Sequence, residues 1–207
     1  MSKPGNKEKA NVSTVIRDWI GALILALVAA LIFRTWFYTP YLVPTSSMIH
    51  TIQVGDHIFV NKHAYGYYSP FSDQRVFPRK VNRGDIVVFP YPVDPQVDYI
   101  KRVIGIGGDE IRIVGETVYV NGEPENTEYL YFDPELLKLP ENIEVVVPEG
   151  KLWVMGDNRR NSKDSRYWGF VDETSIEGKA EVIFWSHDPP KNITEGYRFE
   201  RIGTFFE

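Results

Sequence analysis

The sequence contains no cysteine and few histidines. Without thiols the chain can form no disulfide framework, no thiolate metal site and no cysteine nucleophile, although the redox compartment stays undetermined. The four histidines are His50, His57, His63 and His187. Because their spacing matches no metal-ligand pattern, we expect no metal site.

An excess of positive charge is also lacking. The chain has 23 Lys and Arg residues against 28 Asp and Glu residues, which gives a formal net charge of −5 at pH 7. Since a nucleic-acid-binding domain usually carries a clustered basic excess, we expect no nucleic acid among the partners. With 207 residues, 43% of them hydrophobic, the chain can build one well-packed domain, or one domain with a small appendage.

Long hydrophobic runs are absent except near the N-terminus. Residues 19–33 form an uncharged apolar run, which as a helix covers about 22 Å of a hydrocarbon core of about 30 Å. The run is followed by Trp36, Phe37 and Tyr38, an aromatic cluster typical of a membrane interface. We therefore predict a single transmembrane anchor helix over residues 15–38.

A buried core helix and a cleaved signal peptide are the alternatives for this run. A cleavable peptide needs small residues at the end of its apolar stretch. Here the small residues 28–30 lie inside the run, and its end at residues 33–36 reads Phe-Arg-Thr-Trp, so an uncleaved anchor fits better. Because Lys and Arg residues precede the run, the positive-inside rule predicts a cytoplasmic tail over residues 1–14 and an extracytoplasmic domain over residues 39–207.

From residue 39 onward the sequence consists of short runs rich in β-branched and aromatic residues, separated by Gly, Pro, Asn and Asp, which predicts strands. The expected strands are His57 to Lys62, Asp85 to Phe89, Tyr99 to Gly105, Glu110 to Val114, Thr117 to Val120, Ile143 to Val147, Leu152 to Met155 and Ala180 to Trp185. The fold class is thus mainly β: an anchor helix followed by an all-β domain.

Turn chemistry indicates how parts of this domain connect. Asn121-Gly122 is a dipeptide preferred in two-residue hairpins, because both central positions need a positive φ. Polar or proline-rich stretches predict loops over residues 68–83, 126–142 and 188–196. Residues 115–150 form a candidate insertion, which we expect to be a small β subdomain.

Three turn-rich polar segments stand beside strongly apolar residues, at residues 44–52, 101–109 and 155–169. Buried polar groups must be paired, so such segments are either exposed turns or a built site. The nucleophile of such a site would be Ser, Thr, Lys or a carboxylate. A Ser-His-Asp triad would have to use His57 or His187, but neither lies in a segment of this kind.

The three segments, in this order after an N-terminal apolar run, resemble the motifs of bacterial type I signal peptidases, also called leader peptidases. Residues 55–62, 64–66 and 83–89 reinforce the resemblance, which spans most of residues 41–185. It implies a serine protease with a Ser/Lys catalytic pair and a signal-peptidase-like β fold. It also implies no metal or organic cofactor.

The family's catalytic pair falls on residues of the first two segments. Its Ser-Met pair matches Ser47-Met48, which implies Ser47 as the nucleophile, and its Lys-Arg pair implies Lys101 as the general base. A lysine can take a proton only when neutral, and its ordinary pKa is about 10.4, so burial among apolar residues must lower the pKa.

Four further residues match supporting positions of the family. Thr45 is implied to help bind the oxyanion beside the backbone N–H of Ser47, and Ser162 to orient the lysine. Asp164 and Arg166 match the polar pair that supports the third segment. Two departures concern turn residues only: His50 replaces a family proline, and Gly107 stands where the family has proline in a Pro-Gly-Asp sequence.

The resemblance also implies how substrates are bound. An extended peptide would lie beside strands of the site, and shallow apolar pockets would accept small residues at the first and third positions before the cut. The side chains implied for substrate binding are Val43, Met48, Ile52, Ile58, Val88, Tyr99 and Ile100. The partners expected are preproteins with cleavable signal peptides and the lipid bilayer, at the periplasmic side of a bacterial inner membrane.

Two other classes of protein remain as alternatives. A self-cleaving repressor shares the Ser/Lys chemistry, but it would require a basic DNA-binding helical domain where residues 1–38 have an apolar run. An anchored extracytoplasmic β domain could instead serve as a binding or assembly module without catalysis, with the polar segments as structural turns. Such a module would tolerate the loss of Ser47.

Overall fold

A computed structural model describes residues 12–68, 75–133, 142–188 and 195–206 of the chain. The chain divides into two compact units, Met1–Tyr38 and Thr39–Glu207. Parts of the predicted loops, at residues 69–74, 134–141 and 189–194, lie outside the described residues.

The described residues of the first unit form a helix, α1, of 25 residues (Val12–Trp36). Its described apolar side chains are exposed, among them Trp19 at 71%, Leu23 at 69% and Leu25 at 71%. In the part of the chain that the structure describes, no helix has both the length and the apolar character required to cross a membrane. The transmembrane span over residues 15–38 stays a prediction.

The second unit is built from strands, as the sequence predicts. They are β1 (Tyr38–Leu42), β2 (Asp56–Asn61), β3 (Tyr67–Tyr68), β4 (Arg75–Val76), β5 (Ile86–Tyr91), β6 (Asp94–Ile106), β7 (Glu110–Val114), β8 (Thr117–Val120), β9 (Glu123–Pro124), β10 (Asn142–Val146), β11 (Lys151–Met155), β12 (Val171–Asp172) and β13 (Gly178–Ser186). A second, four-residue helix, α2, covers Ser165–Trp168, and short 3-10 turns occupy Arg159–Asn161, Glu173–Ser175 and Phe199–Arg201.

Seven strands form the main sheet, in the order β1-β2-β13-β5-β6-β11-β12. The long strand β6 lies near its middle and pairs with β5 on one side, where Lys101 is opposite Val87. On the other side β11 pairs with β6 only from Arg102 to Ile106. Residues 98–101 of β6 therefore have a strand neighbour on one side alone among the described residues.

A separate four-stranded sheet has the order β10-β7-β8-β9. It occupies the part of the chain predicted as an inserted β subdomain and also includes β7, which precedes residue 115. The predicted Asn121-Gly122 hairpin is confirmed, because Val120 pairs with Glu123 and the two central residues have φ of 53° and 87°.

All eight predicted strands are present, because each has a local apolar or alternating pattern that a half-buried or buried strand requires. The strand predicted from Tyr99 to Gly105 is longer and begins at Asp94. Strand β1 and four strands of two residues each were not predicted, and one of these, Arg75–Val76, lies inside a predicted loop. These short strands have no periodic pattern of their own and depend on their neighbours for pairing.

Three clusters of buried side chains form the core. One lies around Ile58, Ile86 and Ile183, on β2, β5 and β13. A second contains Phe89, Val103 and Leu152, and the third packs the inserted sheet against Trp153 and Met155 of β11. Strands β6 and β11 thus have apolar support on both faces, which holds the residues between them in fixed positions.

Candidate active site

Ser47 and Lys101 are brought together although 54 residues separate them in the sequence. The Nζ atom of Lys101 lies 2.7 Å from the Oγ atom of Ser47 and also donates to the carbonyl of Ile100 at 2.8 Å. Both side chains are buried, with Ser47 8% and Lys101 3% exposed. The pair is therefore preformed and largely buried.

The position of each member follows from its local structure. Ser47 begins a turn after β1, in which Ile52 donates its backbone N–H to the carbonyl of Met48 at 2.8 Å. The fully buried side chains of Met48 and Ile52 fix this turn on the core. Lys101 lies on β6, whose pairing with β5 fixes the direction of its side chain.

Burial changes the acid–base character of Lys101. Removal of its ammonium from water lowers the pKa from 10.5 to about 8, against the carboxylates of Asp164 and Asp157, which act to raise it. At a pKa near 8 a useful fraction of the amine is neutral close to physiological pH. The lysine thus has the protonation behaviour of a general base.

Residues 156–164, termed the Asn158 loop, hold the turn that carries Ser47. The backbone N–H of Asn158 donates to the carbonyl of Ser47 at 3.0 Å, and its side-chain amide donates to the carbonyl of Ser46 at 3.2 Å. Asn161 donates to the hydroxyl of Ser46 at 3.0 Å. Neither asparagine is among the predicted site residues, although both lie in the third polar segment.

The predicted pair Asp164 and Arg166 shapes the same loop. Asp164 is completely buried, caps α2 through the backbone N–H of Arg166 and accepts from the N–H of Gly156 at 3.1 Å. The guanidinium of Arg166 pairs with this carboxylate at 2.7 and 2.8 Å and donates to the carbonyl of Arg159 at 2.7 Å. Both ends of the loop are therefore tied together.

A second buried ion pair, Arg102 with Asp157, was also missed. The guanidinium contacts the carboxylate at 2.9 and 2.8 Å, and the two side chains are 4% and 0% exposed. Thr51 donates to the same carboxylate at 2.5 Å. Because Arg102 directly follows Lys101, the pair links β6 to the Asn158 loop beside the proposed base. Arg102 lies in the second polar segment and Asp157 in the third, and this location was the sequence signal that could have marked them as site residues.

Ser162 does not make the hydrogen bond to Lys101 that its implied orienting role would need. Its Oγ atom is buried and has no hydrogen-bond partner among the described residues. It lies against Gly156, which sits so close to Ser47 that a Cβ at this glycine would be 2.5 Å from the Ser47 carbonyl oxygen. The amine of Lys101 is directed to Ser47 and Ile100 instead, and an orienting role of Ser162 stays a prediction.

A groove of about 290 Å³ opens beside the pair. Its lining includes five residues that the sequence predicts for the site, namely Thr45, Ser47, Tyr99, Ile100 and Lys101, and also Asn161 and Lys163. The remaining residues predicted to bind substrate lie in the core instead, at 0–2% exposure: Val43, Met48, Ile52, Ile58 and Val88. These side chains are covered by their neighbours and pack in the core beneath the turn that carries Ser47. Their contact with a peptide stays a prediction.

The two histidines that a Ser-His-Asp triad would have to use, His57 and His187, make other contacts. His57 packs edge-on against Phe184, and the Nε2 atom of His187 lies 3.0 Å from the carbonyl of Glu195. The hydroxyl of Ser47 is paired with Lys101. Within residues 12–68, 75–133, 142–188 and 195–206, no group of three His, Asp or Glu side chains could hold a metal ion.

Known proteins similar to this chain are signal peptidases. Signal peptidase I of Pseudomonas aeruginosa is 33% identical over 236 residues, which cover 97% of this chain and 83% of the relative. Signal peptidase I of Aquifex aeolicus is 34% identical, with 87% and 88% of the two chains covered. The crystal structure of a signal peptidase I from Enterococcus faecalis matches 49% of this chain and 97% of its own, at 33% identity and a TM-score of 0.43.

A family model described as signal peptidase, peptidase S26, matches residues 16–185, and this range includes both members of the buried Ser/Lys pair. The chain therefore belongs to the signal peptidase family, peptidase S26.

Proposed function

We propose that this chain is a serine endopeptidase that removes N-terminal signal peptides from preproteins, with Ser47 as nucleophile and Lys101 as general base. The observation that carries the proposal is the 2.7 Å hydrogen bond between the two buried side chains. The pKa of about 8 for Lys101 supports it, because the base must be neutral to act.

Catalysis begins when neutral Lys101 accepts the proton of Ser47 as Oγ attacks the carbonyl carbon of the scissile peptide bond. The negative charge that develops on the carbonyl oxygen is met by the backbone N–H of Ser47 and the hydroxyl of Thr45, which lines the groove. The tetrahedral intermediate collapses to an acyl-enzyme, and the ammonium of Lys101 gives its proton to the leaving amine. The neutral lysine then takes a proton from the water that hydrolyses the ester.

The side of β6 that faces away from β5 supports binding of the substrate as an extended strand. Residues 98–101 have backbone groups without a strand partner on the side opposite β5, among the described residues. A peptide added there could form backbone hydrogen bonds along the groove while its scissile bond reaches Ser47. The groove of about 290 Å³ would hold part of such a peptide, and the small-x-small cleavage site is what the family resemblance implies.

The same proposal places the enzyme at the bacterial inner membrane. Residues 15–38 would be the anchor, residues 1–14 the cytoplasmic tail and residues 39–207 the periplasmic peptidase domain. The apolar run, the preceding positive charges and the exposed apolar side chains of α1 support this. Confinement of enzyme and preprotein to one bilayer would raise their effective concentration.

The test is incubation of the purified wild-type protein and its Ser47→Ala variant, in detergent, with a preprotein that carries an Ala-x-Ala site. We expect the wild type to release a product whose N-terminus follows the second alanine, and the variant to release none. An intact preprotein with both proteins would favour a binding module. Equal cleavage by both would exclude Ser47 as the nucleophile.

A further inference from the structure

The inserted subdomain sends a segment of seven residues, 125–131, alongside the Asn158 loop. This segment, termed the strap, directly follows β9. Tyr131 donates its backbone N–H to the carbonyl of Asp157 at 2.9 Å, and its own carbonyl accepts from the N–H of Arg159 at 3.0 Å. Tyr131 and Asn158 thus form a parallel bridge. The strap is joined by backbone hydrogen bonds to the loop that holds Ser47.

A buried ion pair adds a second connection between strap and loop. Glu125 and Arg159 are joined by two hydrogen bonds, of which Nη2 to Oε2 is 2.7 Å and the other joins Nη1 to Oε1. The two side chains are 6% and 3% exposed, respectively. Arg159 also donates from Nε to the carbonyl of Gly156 at 3.1 Å. The carboxylate of Glu125 therefore fixes an arginine that in turn fixes the backbone of the Asn158 loop.

Tyr129 contributes a third connection. Its hydroxyl donates to Glu125 at 3.2 Å, and the guanidinium of Arg102 lies 4.0 Å from the centre of its ring. Since Arg102 pairs with Asp157 and directly follows Lys101, the strap contacts the loop on one side and the residue next to the proposed base on the other. A desolvated guanidinium over an aromatic ring is a favourable contact.

The strap also reaches the turn that carries the nucleophile. The ring of Tyr131 lies 4.8 Å from the ring of His50, centre to centre. Because His50 lies in the turn that carries Ser47, this ring contact joins the strap to that turn. Asn158, which forms the parallel bridge with Tyr131, donates its backbone N–H to the carbonyl of Ser47 at 3.0 Å.

We propose that the strap of the inserted subdomain positions Ser47 for catalysis, with Glu125 and Arg159 as positioning residues that act through the Asn158 loop. The proposal rests on the proposed peptidase function. Neither residue touches the reacting atoms. A nucleophile displaced by a fraction of an ångström from the attack geometry loses rate without losing substrate affinity, so the strap should affect kcat far more than KM.

The test compares Glu125→Ala with a matched control, Asp109→Ala. Asp109 is also a buried carboxylate paired with an arginine, but its partners Arg83, Ile106 and Asn121 lie outside the strap and the Asn158 loop. In preprotein cleavage normalised to folded protein, we expect kcat of Glu125→Ala to fall about 10- to 100-fold with KM within about twofold. Asp109→Ala should lower the Tm and keep kcat near the wild-type value.

A second variant and a second measurement make the test independent of folding and of the proposed activity. Glu125→Gln keeps one hydrogen-bond acceptor for Arg159 and should recover part of the lost kcat. Amide hydrogen exchange of residues 44–52 should be faster in Glu125→Ala than in Asp109→Ala, whether or not the protein cleaves preproteins.

Equal kcat in Glu125→Ala and wild type would overturn the strap proposal, and so would an equal loss in the Asp109→Ala control. Unchanged exchange over residues 44–52 would also count against it. A wild-type protein that fails to cleave any preprotein would instead contradict the proposed function. The hydrogen-exchange result would then decide by itself whether the strap orders the turn that carries Ser47.

Discussion

The amine of Lys101 lies 2.7 Å from the hydroxyl of Ser47, and both side chains are almost completely removed from solvent. The same burial that brings the two groups into a hydrogen bond lowers the pKa of the lysine to about 8. The geometry and the protonation state required of a serine–lysine pair therefore have one physical cause, the apolar surroundings of β6.

Replacement of Lys101 by arginine should remove activity while the charge is kept. The guanidinium stays protonated at any accessible pH and cannot accept the serine proton. We expect the rate of preprotein cleavage to fall by about 10²- to 10⁴-fold, the contribution of a general base. The control is Lys163→Arg, since Lys163 also lines the groove and should tolerate the change. Comparable rates for Lys101→Arg and wild type would exclude the proposed base.

The rate should depend on pH through a single ionisation near pH 8. Because Lys101 acts only when neutral, kcat/KM should rise about tenfold per pH unit below its pKa of about 8 and level off above it. The measurement is a profile of kcat/KM from pH 5.5 to 10 with a peptide that carries the cleavage site. A midpoint near the ordinary histidine value of about 6.5 would point to another base.

Replacement of Lys101 by methionine should stabilise the inactive protein. The lysine has a pKa of 10.5 when unfolded and about 8 when folded, so the folded state binds the proton more weakly. Below pH 8 the folded protein bears the full penalty of the buried ammonium, about 3 kcal/mol for this difference. The penalty fades as the pH rises from 8 to 10.5.

Urea unfolding of Lys101→Met should therefore show a larger free energy of unfolding than wild type at pH 7, and little difference at pH 11. Lys151→Met removes an exposed lysine that pairs with Asp172, and it should change the free energy by less than about 1 kcal/mol at either pH. A destabilised Lys101→Met at pH 7 would contradict the assigned pKa.

Gly156→Ala should lower both activity and stability. A Cβ at this position would lie 2.5 Å from the carbonyl oxygen of Ser47 and would also press on Ser162, so the nucleophile must move. Overpacking of this kind costs about 1–3 kcal/mol. The control is Gly105→Ala, whose Cβ would meet the side chain of Ile111 at 2.7 Å, away from the pair.

We expect both glycine variants to lower the Tm, and only Gly156→Ala to lower kcat for the folded fraction. A normal kcat in Gly156→Ala would show that the close approach of this glycine to Ser47 has no influence on catalysis.

The sequence by itself determined the elements that depend on local patterns. Each predicted strand has its own apolar run, and the Asn121-Gly122 turn needs only the two residues that adopt a positive φ. The Ser/Lys pair could be predicted because the order of three polar segments resembles that of a known family. These features require no knowledge of distant contacts.

Tertiary structure decided what depends on residues far apart in the chain. The pairing of Glu125 with Arg159, and of Arg102 with Asp157, joins side chains 34 and 55 residues apart. Arg102, Asp157 and Arg159 lie in the polar segments, but nothing local in the sequence shows which residue each of them pairs with. Burial likewise places Val43, Ile58 and Val88 in the core, and the contact with a substrate peptide that the resemblance implies for them stays a prediction. Apolar side chains serve a core and a pocket equally well, so only their packing partners distinguish the two.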